Sequence, residues 1–277
     1  MTKTEIQASL RDAVTAVKAD NPMAASITNT VTIELVANAQ LAVGGSAAMV
    51  YLPDEGEGMA AAGDAMYINM GTLLPVYEET LPRTVKALRD AGKPWVLDPV
   101  GIGLGALRLK LLQSFKDYKP AVIRGNASEI IALANLWELL EEPQTAGVRG
   151  VDATDSVDDA QEAAVALAQW TGGAVAVSGP IDLVTDGQQT ARIRGGSKFL
   201  PLITGGGCSL GGVTAIYLTR STPFIAALAG TIVYDLAGAR AEKGAAGPAS
   251  FQTRFIDELY RANAAEIAAY SFQLEDE

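Results

Sequence analysis

The one cysteine of the chain, Cys208, closes the run Thr204-Gly205-Gly206-Gly207-Cys208, and an apolar segment follows it. Three glycines let a backbone bend sharply and meet a ligand with no side chain in the way. A helix starting there aims free amides and the positive end of its dipole at that ligand. The turn is therefore a candidate anion hole, with Gly206 and Gly207 supplying amides. Spacing alone leaves a second reading open, in which the turn only starts a helix and the thiol is a small buried hydrophobe. The run lacks the Gly-Lys-Ser/Thr ending of a P-loop and is not a dinucleotide-binding fingerprint.

Four other places hold comparable residues. Asp98 heads the turn Asp98-Pro99-Val100-Gly101 after an apolar run, where a carboxylate can hold Mg²⁺ or simply cap the turn. Arg124 lies in Arg124-Gly125-Asn126-Ala127-Ser128-Glu129. Its planar fork suits phosphate oxygens. Asn126 and Glu129 have the spacing of a capping box, and Glu129 could equally be a second Mg²⁺ ligand beside Asp98. Ser178-Gly179 ends another apolar run and could offer a hydroxyl and amides to a nucleotide. Asn29, in Ile27-Thr28-Asn29, could bind a polar ligand group at a helix start. Met49 offers adaptable surface to a flat heterocycle, or packs in the core.

These residues need elements to hold them. Residues 3–19 read as an amphipathic helix. Thr28 could cap a second, running to about Val43 and stopping at Gly44-Gly45. Strands are expected at Ala47–Tyr51, Ala65–Asn69, Trp95–Leu97, Ala121–Ile123, Ala174–Val177 and Asp182–Thr185. Helices are expected from Pro75 to Asp90, after Asn126, at Val157–Trp170, and through most of the chain beyond Cys208. Residues 141–156 read as loop. Several strands are continuous apolar runs, the mark of a parallel sheet covered on both faces. The alternation of strand, turn and helix predicts a doubly wound α/β layer, in which ligands bind beyond the carboxyl ends of the strands. Every candidate turn but the Cys208 one follows such a strand or opens a helix near one.

Composition narrows the chemistry. The 277 residues are 49% hydrophobic and 19% charged, enough for a buried core, and read as a single domain spanning 1–277. A net charge of −11 argues against nucleic acid and anionic membranes as partners. No histidine is present, so Ser-His-Asp triads, Cys-His dyads and His-ligated zinc are excluded. One cysteine allows no intrachain disulfide. No signal-peptide pattern opens the chain, and Phe224–Tyr234 falls short of the roughly 20 apolar residues of a membrane span, so a cytoplasmic protein is expected.

Taken in order, the motifs resemble the hydroxyethylthiazole kinase family along nearly the whole chain. The matching segments are ITNTV at 27–31, VANAQLAVGGSAAM at 36–49, INMGTL at 68–73, WVLDPVGIG at 95–103, VIRGNASEI at 122–130, VSGPIDLVTDG at 177–187, ITGGGC at 203–208 and GPASF at 247–251. The resemblance implies a three-layer ribokinase-like fold with a mostly parallel central sheet. It implies transfer of the γ-phosphate of ATP, with Mg²⁺, to the primary alcohol of 4-methyl-5-(2-hydroxyethyl)thiazole, a thiamine salvage step. It also implies homotrimers with active sites at subunit interfaces. By position, Met49, Gly205 and Asn29 fall to the thiazole, Arg124 and Ser178 to ATP, and Asp98 and Glu129 to Mg²⁺ and phosphates. Cys208 stands where most ribokinase-like enzymes place an aspartate base. A free thiol titrates near 8.5; the helix end is expected to lower that value and a bound phosphate to raise it. Three positions depart from the family pattern. Ala25-Ser26 replace His-Cys, Gly206 replaces Thr, and Ser178 replaces Thr. They motivate two alternatives, a kinase for another small heterocyclic alcohol or a non-catalytic ligand-binding homologue.

Overall fold

The computed structural model describes residues 1–144, 148–149, 152–153 and 155–275. In chain order the elements of the first half are α1 (Lys3–Asp20), β1 (Met23–Ile27), α2 (Ile33–Ala42), β2 (Ser46–Met49), α3 (Pro53–Ala62), β3 (Ala65–Asn69), α4 (Tyr77–Asp90), β4 (Trp95–Asp98), α5 (Ala106–Phe115), β5 (Val122–Asn126) and α6 (Ala127–Leu136). They are followed by β6 (Val148–Arg149), β7 (Asp152–Ala153), α7 (Gln161–Thr171), β8 (Ala174–Ser178), β9 (Asp182–Thr185), β10 (Thr190–Ile193), α8 (Gly206–Leu218), α9 (Pro223–Glu242), α10 (Pro248–Arg261), α11 (Ala264–Ala268) and β11 (Phe272–Glu275).

Nine strands form one sheet in the order β11-β10-β9-β8-β5-β4-β3-β1-β2. From β2 to β8 all neighbours are parallel; β9, β10 and β11 join antiparallel at the other edge. Strand side chains alternate between two cores, as the pleat requires. In β3, Ala65 and Tyr67 face α1, α2, α8, α9 and α10, while Met66 and Ile68 face α3 to α7. The three-layer, mostly parallel α/β expectation is met. α9 is long and apolar, but 83% of its apolar window is buried inside the fold, which makes it a core helix.

Several local expectations shift. β1 was not anticipated, because MAASI is alanine-rich and alanine favours strands weakly. Thr28 therefore follows a strand, and α2 starts at Ile33 with Thr32 at its N-cap position. Gly44, at φ 102°, ends that helix region as expected. The Pro75 helix starts at Tyr77, and the Val157 helix at Gln161. β10, β11, α3 and α5 were not anticipated. Within 141–156, β6 and β7 pair where loop was expected; residues 145–147, 150, 151 and 154 of that stretch lie outside the described residues.

The strand order 2-1-3-4-5 places β1 between β2 and β3, so the direction of winding reverses between β1 and β3. In open α/β sheets that switch point is where the crevice for ligands opens.

Candidate active site

At the switch point the chain leaving β1 carries Asn29, and β3 ends on Asn69. Asn29 Nδ2 donates to Asn69 Oδ1 at 3.2 Å across the crevice. Asn69 pairs in register with Asp98, the last residue of β4. Asp98 is fully buried, and its Oδ2 accepts from Asn69 Nδ2 at 3.0 Å and from Arg124 Nη1 at 3.1 Å. The Tyr67 hydroxyl lies 3.0 Å from the same oxygen and 2.7 Å from the Cys208 carbonyl oxygen, its one proton shared between them. Asp98 Oδ1 is buried and unpartnered.

Arg124, on β5, is the hub. Besides Asp98, its guanidinium donates to the Gly207 carbonyl oxygen at 3.0 Å and to Ser178 Oγ at 2.9 Å. Burial works to lower its pKa, but Asp98 first, then Tyr67 and Glu129, outweigh that, so it stays charged. Ser178 sits opposite Asn126 in the β5–β8 register. Arg124 thus ties the ends of β4, β5 and β8 to the first turn of α8.

That first turn is the glycine run. Gly205, at φ 88°, is the N-cap, a left-handed conformation that glycine adopts without strain. A Cβ there would also meet Thr32 at 2.8 Å. Gly206, Gly207 and Cys208 therefore lie inside the helix rather than before it. Gly206 N bonds Ile203 O and Ser209 N bonds Gly205 O. Among the described residues the amides of Gly207 and Cys208 have no backbone acceptor. Two free amides at the N-terminus of a 13-residue helix are able to receive an anion.

The thiol behaves differently from expectation. Cys208 Sγ is pushed up to about 11 by burial, then by the charge of Asp98; Arg124 and bonds from Asn69 and Asn29 pull the other way but lose. The expected lowering by the helix end does not prevail. Asn29 Nδ2 reaches Sγ at 3.5 Å within one chain, so that contact needs no second subunit. Asn29 Oδ1 is buried and unpartnered.

Glu129 forms the capping box, as its spacing allowed: Asn126 Oδ1 accepts from Glu129 N, and Glu129 Oε2 accepts from Asn126 N, both at 2.9 Å. Its Oε1 accepts from Gly101 N at 3.3 Å. The carboxyl is raised to about 7 by burial, then by Asp98 nearby, so the two acids do lie close. Met49 is half-buried against the core at the end of β2. Its register partner is Ser26 of β1. Tyr67 and Asn69 were missed at first. The available signal was two polar side chains at i and i+2, on one face of a buried strand that stops at a turn.

The departures from the family pattern have partners in the fold. Ser26 is buried in β1, and its hydroxyl donates to Gln40 Oε1 of α2 at 3.1 Å. A Cβ at Gly206 would lie 2.4 Å from the Leu200 carbonyl oxygen, so the local turn requires glycine.

The model of the hydroxyethylthiazole kinase family matches residues 14–265. A hydroxyethylthiazole kinase of Bifidobacterium adolescentis is 49% identical over 274 residues, covering 95% of this chain and 93% of that protein. One from Corynebacterium glutamicum is 41% identical over 266 residues, covering 94% and 96%. A hydroxyethylthiazole kinase structure from Pyrococcus horikoshii superposes with a TM-score of 0.84 at 28% identity, covering 96% of this chain and 99% of that one. A Staphylococcus aureus pyridoxal kinase, solved with AMP-PCP and pyridoxal, shares the fold at a TM-score of 0.55 and 16% identity, covering 78% and 87%.

Proposed function

The chain belongs to the hydroxyethylthiazole kinase family, and from that premise we propose that it transfers the γ-phosphate of ATP to the primary alcohol of 4-methyl-5-(2-hydroxyethyl)thiazole, a thiamine salvage step. The observation that carries this reading is the convergence of Arg124 and the two free amides of α8 on one crevice edge, beside the unpartnered Asn29 Oδ1.

Arg124 and Ser178 take the triphosphate side. Gly206 and Gly207 shape the anion turn, in which the amides of Gly207 and Cys208 hold the transferring phosphoryl group. Asn29, Met49 and Gly205 take the thiazole. Asn29 Nδ2 is already committed to Asn69 and Cys208, so its free Oδ1 is an acceptor and selects a donor such as the substrate hydroxyl.

Asp98 and Glu129 fit Mg²⁺. Asp98 Oδ1 is a buried acceptor without a donor, and Glu129 is close enough to be raised by its charge. Among the described residues no group of three acidic, cysteine or histidine side chains could hold a metal ion. Two carboxylates with phosphate oxygens and water is the usual set for this ion. When bound, it neutralises charge on the phosphate oxygens.

Phosphoryl transfer asks for positioning and charge neutralisation more than for covalent help. A thiol at about 11 is almost wholly protonated at neutral pH. Cys208 therefore serves through its backbone amide first. The bond from phosphorus to ADP breaks as the bond to the alcohol oxygen forms, and the alcohol proton leaves late, to an oxygen of the transferred phosphoryl group.

We place the enzyme in the cytoplasm as a homotrimer. Val31, Leu52 and Leu202 are exposed large apolar residues adjoining Asn29, Met49 and Thr204 in sequence, and a subunit contact would cover them. The test of function is ATP consumption by purified protein. It should depend on both the thiazole alcohol and Mg²⁺; no turnover above background at millimolar substrate would defeat the assignment.

A further inference from the structure

The segment INMGTL at 68–73 brings a fully buried amide to the crevice, that of Asn69. Both ends of this amide are engaged. Oδ1 accepts from Gly71 N at 2.9 Å and from Asn29 Nδ2 at 3.2 Å. Nδ2 donates to Asp98 Oδ2 at 3.0 Å and to the Tyr67 hydroxyl oxygen at 2.9 Å. The two ends of an amide are alike in shape, and only what their neighbours can give or take tells them apart. A backbone N–H only donates, and a carboxylate such as Asp98, paired with Arg124, only accepts. Gly71 and Asp98 therefore fix the oxygen on one side and the nitrogen on the other. The reversed amide would set N–H against N–H at Gly71 and oxygen against oxygen at Asp98.

The Gly71 amide is itself held in place. Met70 N donates to the Asp98 carbonyl oxygen at 3.0 Å, and Arg108 Nε donates to the Met70 carbonyl oxygen at 2.8 Å. The turn continues through Thr72 at φ 41°, a left-handed conformation that a β-branched residue keeps only where its surroundings impose it. Glycine at position 71 leaves room for the bond between the two asparagines. A Cβ there would lie 3.0 Å from both Asn29 Nδ2 and Asn69 Oδ1, and 3.1 Å from Val100 Cγ1.

Asn29 has no backbone reference of this kind. Among the described residues its side-chain amide meets Asn69 at 3.2 Å and the Cys208 sulfur at 3.5 Å, both through Nδ2. A thiol is a weak donor and a weak acceptor, so it does not tell one end of the amide from the other. Asn69 Oδ1 does, because it only accepts. The orientation thus passes from Gly71 N to Asn69, and from Asn69 to Asn29. It leaves Asn29 Oδ1 as the buried end without a partner.

We propose that Asn69 is a positioning residue that sets the polarity of substrate selection. It holds Asn29 with the acceptor end toward the substrate, so the site takes a group that donates a hydrogen bond and rejects a group of the same size that cannot. This rests on the reading of Asn29 Oδ1 as the acceptor for the substrate hydroxyl. With no oxygen at position 69 the Asn29 amide is free to turn, and its Nδ2 then serves a group that only accepts.

The experiment compares, by calorimetry, the dissociation constants of 4-methyl-5-(2-hydroxyethyl)thiazole and its 2-fluoroethyl counterpart, which is close to it in size and cannot donate. The proteins are wild type, Asn69→Ala and Asn69→Asp. Wild type should bind the alcohol about tenfold more tightly, the upper worth of one net hydrogen bond. In Asn69→Ala that ratio should fall to about twofold or less. Asn69→Asp keeps the oxygen that receives Gly71 N and Asn29 Nδ2, while its second oxygen, carrying a proton, donates to Asp98 in place of Nδ2. Its ratio should stay above about fivefold, even where affinity for both compounds falls. A wild-type ratio in Asn69→Ala would overturn the proposal. An equal collapse in both variants would also overturn it, being the mark of lost packing alone. Wild type that binds the fluoro compound as tightly as the alcohol overturns it without any variant. Turnover separates the two readings: wild type that leaves the alcohol unphosphorylated defeats the assigned activity, whereas turnover with an unchanged ratio in Asn69→Ala defeats only the role of Asn69.

Discussion

Replacing Arg124 by methionine leaves Asp98 as a buried carboxylate without its cation. The side chains of this pair are 7% and 1% exposed, so solvent cannot take over. Breaking a buried ion pair from one side costs about 3–5 kcal/mol. Asp98 keeps Asn69 and Tyr67 beside it, which favours the lower end. The Gly207 carbonyl and Ser178 hydroxyl also lose a donor, at about 1 kcal/mol each, which brings the sum to about 5 kcal/mol. In a chain of this size a loss of about 5 kcal/mol lowers Tm by roughly 10–20 °C. The assay is denaturant or thermal unfolding of Arg124→Met, Asp98→Asn and the double variant. Neutralising Asp98 removes the stranded charge, so the double variant should recover about 1–3 kcal/mol relative to the sum of the singles. Additive effects would show that the two side chains do not depend on each other. A Tm for Arg124→Met within a degree of wild type would show that Asp98 is neutral or hydrated, and the description of Arg124 as hub would fail.

Two more outcomes follow from the anion turn. Cys208→Ala should lower kcat by less than about tenfold, below the 10²–10⁴ range of a good general base, and leave KM for ATP unchanged; a drop of a thousandfold would restore the thiol as base. Gly206→Thr, which brings back the residue usual in the resembling family, should reduce rather than raise activity. Its Cβ would meet a backbone carbonyl at 2.4 Å, and such overpacking costs about 1–3 kcal/mol; wild-type stability in that variant, measured by thermal unfolding, would show that the Leu200 turn yields freely.

The parallel strands could be read from sequence because burial on both faces leaves continuous apolar runs such as Trp95–Leu97 and Ala174–Val177. Asp98, Arg124 and Ser178 were found because each stands where such a run ends. β1 escaped because its core positions are filled by alanine and serine, whose burial depends on Gln40 of α2 reaching back to Ser26. A bond over that sequence distance leaves no local pattern. The β10–β11 edge escaped for the same reason, since β11 joins from the far end of the chain. For the Cys208 thiol only part of the balance was legible. Sequence shows the helix that follows the thiol, which favours a thiolate. It does not show how deeply the group is covered or that Asp98 lies beside it, and those two effects win.

The weak thiol and the rigid surroundings have a common physical basis. A site that relies on positioning must hold its donors before substrate arrives. Here the first turn of α8 is held by its own carbonyls: Arg124 takes that of Gly207 and Tyr67 that of Cys208. Both clamps also engage Asp98, so one carboxylate links β3, β4 and β5 to the helix that presents the amides. Tyr67 reaches this position only because α8 carries Gly211, where a Cβ would fall 2.2 Å from the phenol ring. The glycines of α8 therefore divide the work. Gly205 and Gly206 shape the turn, and Gly211, one helical turn further on, admits the side chain that fixes it. Under the proposed function a strongly basic group at position 208 is unnecessary, because the amide of that residue, held by the same network, is the group assigned to the transferring phosphoryl group.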